Sequence, residues 1–278
     1  MPLTNTQKQI LKLLIENRSP QSYLAGGSVI NRKDDSPRFS RDLDIFHETQ
    51  AEVASAASRD KETLERAGYR VEWLLQQPGF FRAIITSTAT AATLKIEWAV
   101  ESSFRFFPLI KDEKLGYRLH NADLATNKIL ALAGRQTARD FLDSLYLHQT
   151  YLSLGALAWA ASGKDPGLTP ELIINEAKRE SGYDQSALER ATADADLAIP
   201  IDVQQTKQSW LKACREAEKL FEILPVEQVG CLYLDRKGHP RTPTLENLSS
   251  LTRHFGTLRG TLPRIIEENK DRPRTPGL

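Results

Sequence analysis

Between Tyr23 and His47 the chain reads YLAGGSVINRKDDSPRFSRDLDIFH, and this segment holds the residues best suited to chemistry. Asp42-Leu43-Asp44 lies in a strand-like run. Alternation puts the two carboxylates on one face while Leu43 and Ile45 point into a core. Two carboxylates held that close repel unless a cation lies between them, and hard oxygen ligands suit Mg²⁺ or Mn²⁺. Upstream, Gly26-Gly27-Ser28 forms a turn without bulky side chains, where backbone N–H groups and the Ser28 hydroxyl can approach phosphate oxygens. Taken singly, a Gly-Gly is a common turn and an Asp-x-Asp can be a solvated strand edge. Together, a phosphate cradle beside a metal-binding strand describes phosphoryl or nucleotidyl transfer.

The order strand, Gly-Gly-Ser, connection, Arg38-x-Ser40-x-Asp42-x-Asp44 resembles the signature of the DNA polymerase β-like nucleotidyltransferase superfamily. The Arg-x-Ser-x-Asp-x-Asp form is similar to the AbiEii/AbiGii branch, the toxins of type IV toxin–antitoxin and abortive-infection systems. A second block resembles that branch too: Lys128-x-x-Ala131-Leu132-x-x-Arg135-x-x-x-Arg139-Asp140-x-x-Asp143. The resemblance covers about residues 20–150.

It implies a third carboxylate on a later strand. In Leu94–Val100, Leu94, Ile96, Trp98 and Val100 make one apolar face, leaving Lys95, Glu97 and Ala99 on the other; Glu97 is the candidate, with Glu101 nearby. The resemblance also implies that Lys128 and Asp140 take part in nucleotide binding and transfer. Independently, Lys128 and Arg135 can share a helical face, and Thr137-Ala-Arg-Asp140 fits a capping box that would occupy Asp140 with backbone N–H groups. Asp143, one turn on, is the alternative to Asp140.

These residues imply the following roles: Asp42, Asp44 and Glu97 for metal; Gly26, Gly27, Ser28, Arg38, Ser40 and Lys128 for the nucleotide. The expected cofactor is Mg²⁺ or Mn²⁺, with an NTP as substrate. From the toxin branch follow an RNA such as tRNA, or a protein, as acceptor, and a cognate antitoxin as partner. An antibiotic nucleotidyltransferase acting on an aminoglycoside or lincosamide, and a noncatalytic NTP-binding module, are the competing readings.

The elements that position these residues follow from periodicity. Ile10, Leu11, Leu13, Leu14 and Ile15 recur at helical spacing near the start. Short strand-like stretches follow at 23–25, 43–46, 69–75, 80–86 and 94–100, broken by a helical run at 51–67. After Tyr117 helical runs dominate, at 122–133, 138–154, 170–181, 185–194 and 203–224. This predicts an α+β protein: a polymerase β-like domain with a mixed sheet over 1–115, then a mainly helical domain over 116–278. The border falls near 108–118. A late hairpin at 231–238, a further helical stretch and a polar tail from about 269 complete the reading.

Composition narrows the class. The 278 residues carry 37 Lys+Arg and 36 Asp+Glu, which excludes a generally basic nucleic-acid coat and an acidic disordered chain. The balance hides a basic end, since residues 231–278 hold nine basic and five acidic side chains. Two cysteines, Cys214 and Cys231, cannot frame a disulfide scaffold, and no zinc spacing occurs. A reducing cytoplasm is the expected compartment, with no membrane segment. His47, at the end of the Asp-x-Asp strand, is the histidine nearest the motif; neither cysteine stands in a nucleophilic setting.

Overall fold

The computed structural model describes residues 3–33, 35–135, 137–179, 183–193 and 200–263. Helix α1 (Asn5–Leu14) opens on a capping box: Thr4 Oγ1 accepts from the Gln7 amide at 3.1 Å, and Gln7 Oε1 accepts from the Thr4 amide at 2.8 Å. The buried Gln7 also donates through Nε2 to the Ser40 carbonyl at 2.6 Å, tying α1 to the segment that enters the Asp-x-Asp strand.

The chain then lays down β1 (Tyr23–Ala25), the short helix α2 (Gly26–Ile30), β2 (Asp42–His47), α3 (Gln50–Arg66), β3 (Tyr69–Gln77), β4 (Phe80–Ser87) and β5 (Thr93–Val100). Strands β6 (Phe104–Arg105), β7 (Ile110–Asp112) and β8 (Gly116–Arg118) follow. Seven strands form one sheet in the order β3-β4-β5-β2-β1-β8-β7. The pairs β2–β5 and β1–β8 are parallel and the others antiparallel, so the sheet is mixed. On its core face Leu43, Ile45, Ile85, Ile96 and Trp98 are almost wholly buried, each contributing roughly 1.5–3 kcal/mol. Trp98 Nε1 donates to Asp60 of α3 at 2.8 Å, and Arg18 clamps both Asp60 oxygens, which fastens helix to sheet.

Helices α4 (Asn121–Arg135), α5 (Ala138–Thr150), α6 (Leu154–Ala161), α7 (Pro170–Arg179), α8 (Gln185–Thr192) and α9 (Val203–Ile223) pack beyond the sheet, making nine helices among the described residues. The chain is thus α+β with a mixed sheet, as the patterning predicts. Helix α4 packs on α2, so the helical layer touches the Gly-Gly-Ser segment directly.

Some elements differ from the periodicity. Gly26–Ile30 is one turn of helix rather than a simple turn; five residues are too few to show a 3.6-residue period. The run predicted as 138–154 ends at Thr150, and the all-apolar LGALAWAA forms a separate buried helix with no polar face to betray its period. After β9 (Cys231–Leu234) the expected turn at Asp235–Gly238 forms and the chain returns antiparallel to β9 through a short Leu234–Pro240 bridge, while the full partner strand of β9 is β10 (Thr252–Phe255), and β11 (Thr257–Leu258) pairs back with β6. The helical stretch expected after the turn is absent among the described residues up to 263, apart from one 3₁₀ turn at Leu248–Ser250. The polar tail from 269 lies outside the described residues.

Candidate active site

Strand β2 is half-buried on one face and closed on the other, in strict alternation. Asp42 and Asp44 therefore share the open face, and His47 lies on the core face, wholly buried, with Nδ1 3.0 Å from the Gln21 carbonyl. Burial and the Arg18 charge hold His47 down at about 4, so it is neutral near pH 7 and apart from the acids.

The parallel pairing of β2 with β5 sets Asp42 level with Lys95 and Asp44 level with Glu97. Three carboxylates thus gather on one face of two adjacent strands. Glu101 stands elsewhere, accepting from Tyr23 Oη at 3.0 Å and from Asn127. Lys95 Nζ bridges the acids, 3.1 Å from Asp42 Oδ2 and 3.0 Å from Glu97 Oε1. Arg82, opposite Glu97 on β4, donates to it at 2.9 Å, and Arg139 reaches Asp42 Oδ2 at 3.3 Å. Among the described residues Asp44 has no such partner. Burial first, then the charges of Glu97 and Asp42, push its carboxyl up to about 6 against the opposing pull of Lys128 and Lys95.

Gly26 sits directly above Asp44. Its φ is +71°, and a Cβ placed there would fall 2.0 Å from Asp44 Oδ2. Both facts require glycine. A Cβ on Gly27 would meet the Arg38 guanidinium at 2.6 Å, so the second glycine lets Arg38 pass beneath the turn. Ser28 is buried, its hydroxyl 3.5 Å from the Ala25 carbonyl, and the buried Ser40 hydroxyl donates to the Asp42 carbonyl at 3.2 Å. Both serines are thus engaged with backbone.

Arg38 pairs with Asp143 of α5 through two bonds of 2.7 Å, both side chains being buried. Asn31 adds a 2.8 Å bond to Asp143 and a 3.0 Å bond to the Gly27 carbonyl. Lys128 Nζ spans Asp140 at 2.7 Å and Asp143 at 3.1 Å. Burial alone would raise both carboxyls, but Arg135 and Lys128 hold Asp140 well below the usual range, and Lys128 with Arg38 does the same for Asp143. Asp140 also takes part in the α5 cap: its amide donates to Thr137 Oγ1 at 3.3 Å while its carboxylate accepts from that hydroxyl at 2.8 Å. The box is only half of the expected one, because the carboxylate turns to Thr137 Oγ1, Lys128 and Arg135 rather than to the cap amide. Both Asp140 and Asp143 therefore contact Lys128.

The structure thus brings Gly26, Gly27, Asp42, Asp44 and Glu97 together, with Lys128, Asp140, Asp143 and Arg38 in an adjoining network. The sequence assigns no site role to Lys95, Arg82, Asn31 or Arg139. Lys95 is marked only by its place beside Glu97 on the polar face, and Arg139 only by its place in the Lys128–Asp143 block.

Among the described residues no group of three His, Cys, Asp or Glu side chains stands ready-spaced to hold a metal ion. The chemistry of the set nevertheless suits one. All three donors are carboxylates, the hard ligands of Mg²⁺ and Mn²⁺, and the raised Asp44 marks negative charge that Lys95 offsets only in part. In this arrangement Lys95 is the cation between Asp42 and Glu97, so a metal binding both would have to displace it.

No protein-family model and no curated protein match the chain. Solved structures do. A protein from Helicobacter pylori, JHP933, has 18% identity and a TM-score of 0.50, covering 79% of this chain and 95% of its own. An H. pylori protein provisionally assigned as a nucleotidyltransferase has 18% identity and a TM-score of 0.52, covering 78% and 96%. MenT4, a nucleotidyltransferase toxin of Mycobacterium tuberculosis, has 13% identity and a TM-score of 0.49, covering 80% and 83%. At these identities the likeness is one of fold. No described helix is long and apolar enough to cross a membrane.

Proposed function

We propose that the chain is a metal-dependent nucleotidyltransferase that moves NMP from an NTP to an acceptor, as a toxin of the AbiEii/AbiGii type. The observation that carries this reading is the register of β2 and β5, which puts Asp42, Asp44 and Glu97 on one face beneath the Gly26–Gly27 turn. On this reading residues 1–115 supply the acids and the phosphate turn, and 116–278 supply Lys128 and Asp140. Mg²⁺ or Mn²⁺, held by Asp42, Asp44 and Glu97, would neutralise the triphosphate and the departing pyrophosphate.

The chain's own residues do the rest. Gly26 and Gly27 admit phosphate oxygens to the backbone, Lys128 offsets their charge, and Asp140 and Asp143 orient Lys128. Arg38, fixed by Asp143, supports the turn from below. The acceptor hydroxyl oxygen bonds to the α-phosphorus as the bond to the β-phosphate oxygen breaks. Pyrophosphate leaves with that electron pair, and the hydroxyl proton passes to Glu97 and then to solvent.

The motif resemblance favours an RNA such as tRNA, or a protein, as acceptor, in the cytoplasm, with an antitoxin as partner. Incubation with each NTP labelled at the α-phosphate, Mg²⁺ and total RNA or protein, followed by gel separation, tests the reading through the label's destination. The ion pairs from Lys95 and Arg139 to Asp42 favour one second reading, a noncatalytic NTP-binding module. Mg²⁺-dependent NTP binding with no transfer to RNA, protein or drug would select it.

A further inference from the structure

Beside the acidic strands lies an open cleft of about 260 Å³, walled by Phe39 and Arg41 before β2, Ala138 and Arg139 at the start of α5, and Arg190 and Ala191 on α8. Its cations come from three separate segments, and among the described residues no acidic side chain lines it. Among the described residues each guanidinium has one hydrogen-bond partner: Arg139 donates to Asp42 at 3.3 Å, Arg190 to Ser186 Oγ at 2.9 Å, and Arg41 to the Ala193 carbonyl. Five N–H donors on a planar fork leave each arginine able to bind a further anion.

Among the described residues only Arg139 of the three has a carboxylate partner, Asp42, so the gathered arginines keep an excess of positive charge that a phosphate, as a compact group, would answer. Phe39, half-buried in the wall, adds an aromatic ring. Positive charge with an aromatic surface is the chemistry by which single nucleic-acid strands are held, phosphate on the cations and base on the ring. The cleft is near the ~300 Å³ lower end of ligand pockets, a size for one nucleotide rather than a peptide helix. Neither Gly26, Gly27 and Ser28 nor Lys128 lines it, so a ligand there is additional to one whose phosphates lie on the glycine turn. Arg139 touches both the cleft and Asp42, which sets an occupant next to the acids.

We propose that this cleft binds a phosphate-bearing nucleotide of a single-stranded nucleic-acid acceptor, bringing that strand's hydroxyl to Asp42. The inference rests on the nucleotidyltransferase reading for the acceptor role, but binding to the cleft is measured without any reaction. A fluorescein-labelled short single-stranded RNA is titrated by anisotropy in EDTA, without NTP, against the wild type, Arg41→Gln/Arg190→Gln and Phe39→Leu. Arg41 and Arg190 are exposed, and unchanged melting and circular dichroism would show that the variants fold.

The double arginine variant is expected to bind roughly tenfold more weakly and to lose about 1 from its log–log salt slope, while its affinity for ATP stays unchanged. Phe39→Leu should weaken binding while leaving the slope in place, because stacking releases no counterions. Equal RNA binding by all three proteins overturns the proposal. So does full displacement of the RNA by ATP, which would make the cleft the NTP's own, or weakened capture of a protein acceptor with RNA binding unaltered. Failure of transfer in the labelled-NTP assay, with RNA binding that depends on Arg41 and Arg190, would instead sink the enzymatic reading and leave the cleft as a strand-binding site.

Discussion

Asp44 and Glu97 stand level across a parallel strand pair, and Gly26 closes over Asp44 so tightly that a methyl group could not fit between them. The strands, the glycine and the acids therefore depend on one another: shifting β2 by one residue would carry both aspartates into the core.

Asp44 is pushed up to about 6 from an ordinary value near 3.8. Its protonated form is favoured in the folded state, so this contribution to stability is fully present below about pH 4 and is lost as pH rises through about 6. Asp44→Asn should thus stabilise the protein by about 3 kcal/mol at about pH 8, with the gain fading by about pH 4. Thermal melts of both proteins across that range check this.

Lys95 is the cation between Asp42 and Glu97. Lys95→Met should raise the Asp44 carboxyl further and lower stability at about pH 8 by about 1 kcal/mol. The variant should also bind Mn²⁺ more tightly than the wild type, measured by electron paramagnetic resonance. Weaker Mn²⁺ binding would mean that Lys95 organises the acids rather than competing for them.

Gly26→Ala places a methyl group on Asp44 and a side chain at positive φ. A loss of at least ~1–3 kcal/mol in urea denaturation is expected, together with loss of label transfer. A variant of full stability and full activity would show that the turn and Asp44 are not in contact.

Asp143 receives Arg38, Lys128 and Asn31 in a closed setting. Asp143→Ala leaves two buried cations without it and should cost about 3–5 kcal/mol, whereas Arg139→Ala, at an exposed pair with Asp42, should cost less than about 1 kcal/mol. Chemical denaturation of the two variants separates them.

The Asp pair, the two glycines and the face of Glu97 were legible because strand alternation is local: once Leu43 and Ile96 are taken as core, the positions of Asp44 and Glu97 follow. The Arg38–Asp143 pair was not legible as a contact, since 105 residues separate its members and only the packing of α2, α4 and α5 joins them. Lys95 belonged to the predicted polar face, yet its bridge to Asp42 depends on the parallel register of two strands separated by α3, β3 and β4. The strands of the C-terminal segment were hidden for a different reason. Thr252–Phe255 and Thr257–Leu258 are too short for alternation to stand out from the surrounding loop.

The central claim is that the carboxylates on β2 drive nucleotidyl transfer, and the most direct measurement compares wild type with Asp42→Ala/Asp44→Ala. Each protein is incubated with an NTP labelled at the α-phosphate, Mg²⁺ and total cellular RNA and protein. The account predicts label in an acceptor band for the wild type and a loss of at least ~100-fold in the double variant, with folding retained. Equal labelling by the two proteins would contradict it.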